Sequence, residues 1–200
     1  MGLNQKMAVV FNGPPKSGKD FICDSLIDLS CNEFNHLRFK DKLFELVQCI
    51  YDIDKETFFK IYNNREMKDL PHPAFNMLSP RQAMIYVSEV VIKPRFGKNY
   101  FGKIAAKNMK HGMNVFSDGG FIEELVPVYY ESEGNLLIFR VHKDECNFSK
   151  DSRGYIDKCE DARIIDIYNN STKEDFVKEV VTELTEHFNI TKEVINGTEY

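Results

Sequence analysis

Residues 11–21 read "FNGPPKSGKDF". Gly13 and Gly18 bracket four residues and Lys19 follows, which is the pattern G-x-x-x-x-G-K with Asp20 in the place where Ser or Thr is usual. The run before it, "KMAVVFN" (6–12), is apolar and of strand length. From Asp20 the period changes: Phe21, Ile22, Leu26 and Leu29 recur at helical spacing, predicting a helix over 18–30. A strand, a glycine loop and a helix in that order bring backbone N–H groups together at the positive end of the helix, where an anion is favoured. Ser17, Gly18, Lys19 and Asp20 would supply the N–H groups of a phosphate cradle, and the Lys19 ammonium would bridge the phosphates. Pro14 and Pro15 remove two donors early in the loop and stiffen it. Asp20 offers a charged oxygen to a hard cation such as Mg2+, and it also suits the first turn of a helix.

Outward from the loop, strands are predicted within 34–39, 113–119, 135–143 and 163–170. Helices are predicted over 40–53, 54–69, 79–92, 98–112, 121–131 and 172–188, with a proline-bearing loop at 70–78. Ser79 is the expected N-cap and Pro80 the first helical residue of the fourth helix, which Pro94 is expected to stop. Gly112 is expected to end the helix over 98–112. Alternating strands and helices imply an α/β fold whose mainly parallel sheet is covered by helices on both faces. The reading is one domain over residues 1–190 and a polar tail over 191–200.

Two hundred residues with 42% hydrophobic and 28% charged content describe an ordinary globular chain. The formal charge of −5 argues against broad, non-specific binding to nucleic acid. No apolar run nears the ~20 residues that span a bilayer, so no membrane association is expected. The first strand begins too early to leave room for a signal peptide. The five cysteines form no C-x-x-C pair and are expected to be reduced thiols of a cytoplasmic protein. The five histidines show no ligand spacing, and no protein-built metal site is visible.

"SGKD" after a strand-borne glycine resembles a subgroup of P-loop kinases that includes bacteriophage deoxynucleoside monophosphate kinases and animal-type phosphomevalonate kinases, which carry Asp in this place. Further stretches are similar. "FKDKLFE" (39–45) resembles the family's G-P-[IL]-K segment and places Lys42 on its lysine. "SPRQAM" (79–84) resembles the helix that presents an arginine, here Arg81. "NVFSDGG" (114–120) resembles the strand ending in an aspartate, here Asp118, and "DKCEDARIIDIYNNST" (157–172) resembles the segment leading to an Asn near the adenine side. The resemblance spans roughly residues 7–190 and departs at Gly120, where the family often has Arg. It implies a three-layer P-loop kinase fold with a lid at about 142–156 and ATP with Mg2+ as cofactors. A homodimer is compatible with it.

On this reading Gly13, Lys16, Ser17, Gly18, Lys19, Asp20 and Phe21 bind the nucleotide, and Asp20 and Asp118 serve the metal. Lys19, Arg81, Arg153 and Asp118 are the expected catalytic set, with Arg153 reaching the transferred group from the lid. Arg38, Lys42, Arg81 and Arg95 are the expected acceptor binders. Lys98, Arg140, Lys143 and Lys150 are further basic candidates. Each has a plainer alternative. Asp118 can cap the helix over 121–131, Arg81 can be a solvated arginine, the lid a solvated loop, and Phe96, Tyr100 and Phe101 ordinary core. The expected reaction moves the γ-phosphoryl group of ATP to a deoxynucleoside monophosphate. The alternatives are a hydroxymethylpyrimidine base in DNA or phosphomevalonate as acceptor, or a nucleotide-binding module without transfer chemistry.

Overall fold

The computed structural model describes residues 5–190, apart from 32, 65, 150 and 152. Lys150 and the polar tail over 191–200 lie outside the described residues. Five strands, β1 (Lys6–Asn12), β2 (Asn35–Leu37), β3 (Gly112–Phe116), β4 (Leu136–His142) and β5 (Arg163–Tyr168), form one sheet in the order β2-β3-β1-β4-β5. Every pairing is parallel: Val9 lies opposite Val115 on one side and Leu137 on the other. Parallel neighbours need crossovers: helical chain follows every strand except β4, whose long connection to β5 carries no helix among the described residues.

The apolar runs divide by side-chain alternation. Val9 and Phe11 point to one face, where they meet Ile22 and Leu26 of α1 (Lys19–Leu29) and Phe176, Val180 and Leu184 of α8 (Lys173–Phe188). Ala8 and Val10 point to the other, against Ala105 and Ala106 of α6 (Tyr100–Lys107) and Leu125 and Val128 of α7 (Ile122–Glu131). This is a sheet between two helical layers. A third apolar cluster stands apart from the sheet. Phe44 and Val47 of α2 (Lys40–Tyr51), Phe58 and Ile61 of α3 (Lys55–Asn63), and Ala83 of α4 (Pro80–Ile85) pack around Phe75. Aromatic rings fill it edge to face, with Phe44 and Tyr62 centroids 4.9 Å apart.

Three helix ends depart from the sequence expectation. Pro94 does not stop the fourth helix. α4 passes into a π-helical stretch, Tyr86–Ile92, and then into α5 (Lys93–Phe96). The wide turn lets the Lys93 N–H donate to the Ser88 carbonyl, five residues back. Pro94 then falls in the first turn of a new segment, where a missing N–H is tolerated. α3 ends at Asn63 because the Asn64 side chain accepts from the N–H groups of Glu66 and Met67, closing a local turn. α6 ends at Lys107, and Gly112, with φ 90°, opens β3 instead of capping the helix. Among the described residues no helix is long and apolar enough to cross a membrane.

Candidate functional site

The loop between β1 and α1 is built so that side chains are kept out of it. A Cβ at Gly13 would lie 2.6 Å from the Val141 carbonyl oxygen and 2.9 Å from Ser17 Oγ. Gly18 has φ 105° and directly precedes α1. Lys16 also takes a left-handed φ, of 70°. The Lys19 ammonium folds back over the loop, donating to the carbonyl oxygens of Gly13 at 2.8 Å and Pro14 at 2.7 Å. Burial, then the nearby Arg153, lowers its pKa to about 8. Asp20 is exposed in the first turn of α1, one residue past Lys19.

A cavity of about 510 Å3 opens beside this loop, lined by Gly18, Phe21, Lys143, Asp144, Asn169, Asn170, Ser171 and Lys173. The Lys173 ammonium stands 5.3 Å from the Phe21 ring centroid. Asp144 and Asn170 hold each other through two hydrogen bonds, Asp144 N–H to Asn170 Oδ1 at 2.9 Å and Asn170 Nδ2 to Asp144 Oδ1 at 3.0 Å.

Asp118 lies two residues beyond β3 and is 7% exposed. Its two carboxylate oxygens accept the N–H groups of Phe39 and Lys40, each at 3.0 Å. It therefore caps the start of α2, not the helix over 121–131. Arg153 reaches the same turn: Nη1 donates to the Asp118 carbonyl oxygen at 3.0 Å. Its other face grips the Asp151 carboxylate at 2.9 and 2.7 Å. A side chain at Gly120 would need the Glu124 carboxylate to move aside. A Cβ there would lie 2.4 Å from Glu124 Oε2 and 3.2 Å from the Phe39 ring. Burial pushes Glu124 up to about 7, against the opposing pull of Lys93. Lys93 pairs with Glu89 at 2.7 Å and stands 3.7 Å from Glu124.

Across from the loop, the third apolar cluster presents a second group of cations. Lys68 sits with its ammonium 4.1 Å from the Tyr62 ring centroid. Burial, then Arg81, lowers its pKa, and Arg153 acts in the same direction. Burial raises the Tyr62 phenol, which also feels the charges of Lys40, Arg81, Asp118 and Arg153. Lys40 in turn adds to the depression of Lys19. Lys19, Lys40, Lys68, Arg81 and Arg153 therefore share one electrostatic environment. Arg81 and Arg153 have carboxylate partners, Asp69 at 2.6 Å and Asp151. Lys19, Lys40 and Lys68 have none among the described residues. The carboxylates of Asp20 and Asp151 act on Lys19 from farther off, and those of Asp69 and Asp20 on Lys68, so the positive charge is partly offset and the remainder favours an anion.

The other basic candidates are held elsewhere. Lys42 pairs with Glu45 at 2.7 Å, and Arg38 with Asp41 at 2.9 Å. Arg140 is clasped by Asp166 and Asp157. Lys98 is exposed, 3.9 Å from Glu123, and Arg95 is exposed on α5. Lys40, Lys68 and Tyr62 were missed in the sequence. Lys40 is two residues from Lys42 and carried no motif of its own, and Lys68 comes near Arg81 and Arg153 only through the fold of the α3–α4 connection. Among the described residues no three His, Cys, Asp or Glu side chains gather into a metal cage. Comparison with protein-family models and with curated proteins finds no match to this sequence.

Proposed function

We propose that this chain is an ATP-dependent phosphotransferase that moves the γ-phosphoryl group to a deoxynucleoside monophosphate. The observation that carries the proposal is the glycine loop at the start of α1 with the Lys19 ammonium folded over it, bonded only to loop carbonyls and with its pKa lowered by burial and by the nearby Arg153 and Lys40. A donor triphosphate and an acceptor monophosphate together bring several negative charges, and phosphoryl transfer is mainly positioning and neutralisation of that charge. Lys19, Lys40 and Lys68, which make no ion pair among the described residues, supply cations for that charge in a protein of net charge −5.

On this reading the loop N–H groups and Lys19 hold the donor phosphates, and the cavity beside Gly18 and Phe21 takes the donor's base. Lys19 leaves the Gly13 and Pro14 carbonyls for the β- and γ-phosphates. Lys40, Lys68 and Arg81 hold the acceptor phosphate, and Arg153 stands between the two groups. An acceptor oxygen, already ionised at neutral pH, attacks the γ-phosphorus as the bond to the bridging oxygen of ADP breaks. No general base is required. The Asp20 carboxylate at the loop suits Mg2+, which takes one or two protein oxygens and completes its shell with phosphate and water. The ion would supply charge neutralisation on the donor phosphates.

The test is a transfer assay with ATP and Mg2+ against each deoxynucleoside monophosphate, phosphomevalonate, and DNA containing hydroxymethyluracil. A nucleoside diphosphate product dependent on one or more monophosphates is expected. Label appearing only in DNA or in mevalonate diphosphate overturns the acceptor. Nucleotide binding without transfer to any acceptor overturns the enzyme reading.

A further inference from the structure

Asn12 is the last residue of β1, fully buried, and immediately precedes Gly13. The proposed chemistry makes no direct use of it. Its side chain turns toward the long connection between β4 and β5. Nδ2 donates to the Gly154 carbonyl oxygen at 3.1 Å, and Oδ1 accepts the Ile156 N–H at 2.9 Å. One carboxamide thus pairs with the backbone of residues 154–156 as a neighbouring strand would. The pairing is chemically selective: a carbonyl can only accept and an N–H only donate, so Asp could satisfy one partner and Leu neither.

Arg153 is the residue before Gly154, and its guanidinium bridges Asp151 and the Asp118 carbonyl. Asn12 also touches the turn that follows Asp118. A Cβ at Gly119 would lie 2.5 Å from the Asn12 Cα. The glycine loop, the Asp118 turn and the Arg153 segment therefore meet at this one residue.

We propose that Asn12 is a positioning residue, whose carboxamide sets the register of the segment carrying Arg153 and so fixes where that guanidinium stands over the glycine loop. It touches no substrate and acts through Arg153. Its kinetic consequence rests on the kinase reading, and its geometric consequence does not.

The experiment compares the wild-type chain with Asn12→Ala, Asn12→Asp, Arg153→Ala and the double variants, each checked by thermal melting. Asn12→Asp is isosteric and keeps one of the two bonds, so it carries the comparison if Asn12→Ala fails to fold. The Asn12 variants are expected to lower kcat roughly 10–100-fold, the scale of a misplaced catalytic group, with the KM for ATP nearly unchanged. The double variants are expected to be no slower than Arg153→Ala alone, because groups acting as a unit are not additive. Losses that multiply in the double variant, or a loss confined to KM, overturn the proposal. Hydrogen exchange reads the geometry without turnover. The Ile156 amide must exchange faster in Asn12→Ala or Asn12→Leu, which remove its acceptor, than in Asn12→Asp, which keeps it, while those of β1 and β4 stay slow, and equal protection at Ile156 in the folded variants overturns the proposal. If the wild-type chain transfers to no acceptor, the kinase reading falls and the exchange result alone decides the role of Asn12.

Discussion

Asn169 donates its side-chain amide to the carbonyl oxygen of Ser17 at 2.8 Å, joining the turn after β5 to the glycine loop across 152 residues of chain. The same amide occupies the space that a side chain at position 18 would need. A Cβ on Gly18 would lie 2.4 Å from Asn169 Nδ2, at a backbone φ of 105° that other residues rarely adopt. Gly18→Ala is therefore expected to cost about 1–3 kcal/mol of stability and to weaken ATP binding. Asn169→Ala leaves a loop carbonyl without its donor and is expected to cost about 1 kcal/mol. Urea midpoints and titration with a fluorescent ATP analogue measure both. Unchanged ATP affinity in Gly18→Ala would remove the loop from the nucleotide site.

Lys19 has its pKa lowered to about 8, so a growing fraction of the free protein carries a neutral amine as pH rises above that value. A bound phosphate favours the charged form and raises the pKa again. Binding must then take up a proton above pH 8, and affinity for ATP is expected to fall as pH rises through that region. Calorimetry at pH 8.5 in buffers of different ionisation enthalpy detects the uptake. Lys19→Met should remove it and abolish transfer while the melting profile stays cooperative. Transfer retained by a folded Lys19→Met protein would end the assignment.

On the proposed function, Lys40 and Lys68 hold the acceptor phosphate. Each Ala variant is expected to raise the acceptor KM roughly tenfold, the worth of one charge-assisted hydrogen bond, and to leave the KM for ATP almost untouched. Steady-state kinetics with one substrate saturating separates the two. A rise in the ATP constant alone would move these lysines to the donor side.

Glu124 is buried, with its pKa raised to about 7 from an ordinary 4.5. Between those values the folded chain binds more protons than the unfolded chain. The contribution of Glu124 to stability is therefore full below pH 4.5 and lost as pH rises through 7. Glu124→Gln cannot lose it. The stability difference between Gln variant and wild type should grow in the variant's favour from pH 5 to pH 8, by urea midpoints at each pH. A difference independent of pH would show that the folded-state pKa of this carboxyl is not raised into that range.

The strand and helix order was legible because a parallel sheet buried on both faces writes itself as continuous apolar runs. "KMAVVFN" and "NLLIFRVHK" are such runs, and β1 and β4 lie within them. Asp118 and Arg153 were singled out in the sequence, and the structure brings them into contact. Pro94 misled because its effect depends on hydrogen-bond register: a π-turn upstream made its missing N–H harmless. Lys42 and Lys40 differ by two positions on one helix, nearly opposite in direction, and pattern matching cannot tell which one lies nearer Lys19. Asn12 escaped notice because its partners, Gly154 and Ile156, are more than a hundred residues away.

β1 is the central strand, yet it pairs only with β3 and β4: Lys6 lies beside Gly112 and Ala8 beside Leu136. During synthesis, at roughly 5–20 residues per second, the nascent chain carries an unpaired apolar segment for roughly 5–20 s before its first partner emerges from the ribosome. Two open edges of that segment offer hydrogen bonds to any other extended chain nearby. The most buried strand of the finished protein is thus its most aggregation-prone piece while it is being made. Ribosome-bound fragments ending before β3 should bind holdase chaperones through residues 6–12 and release them once β4 has been translated.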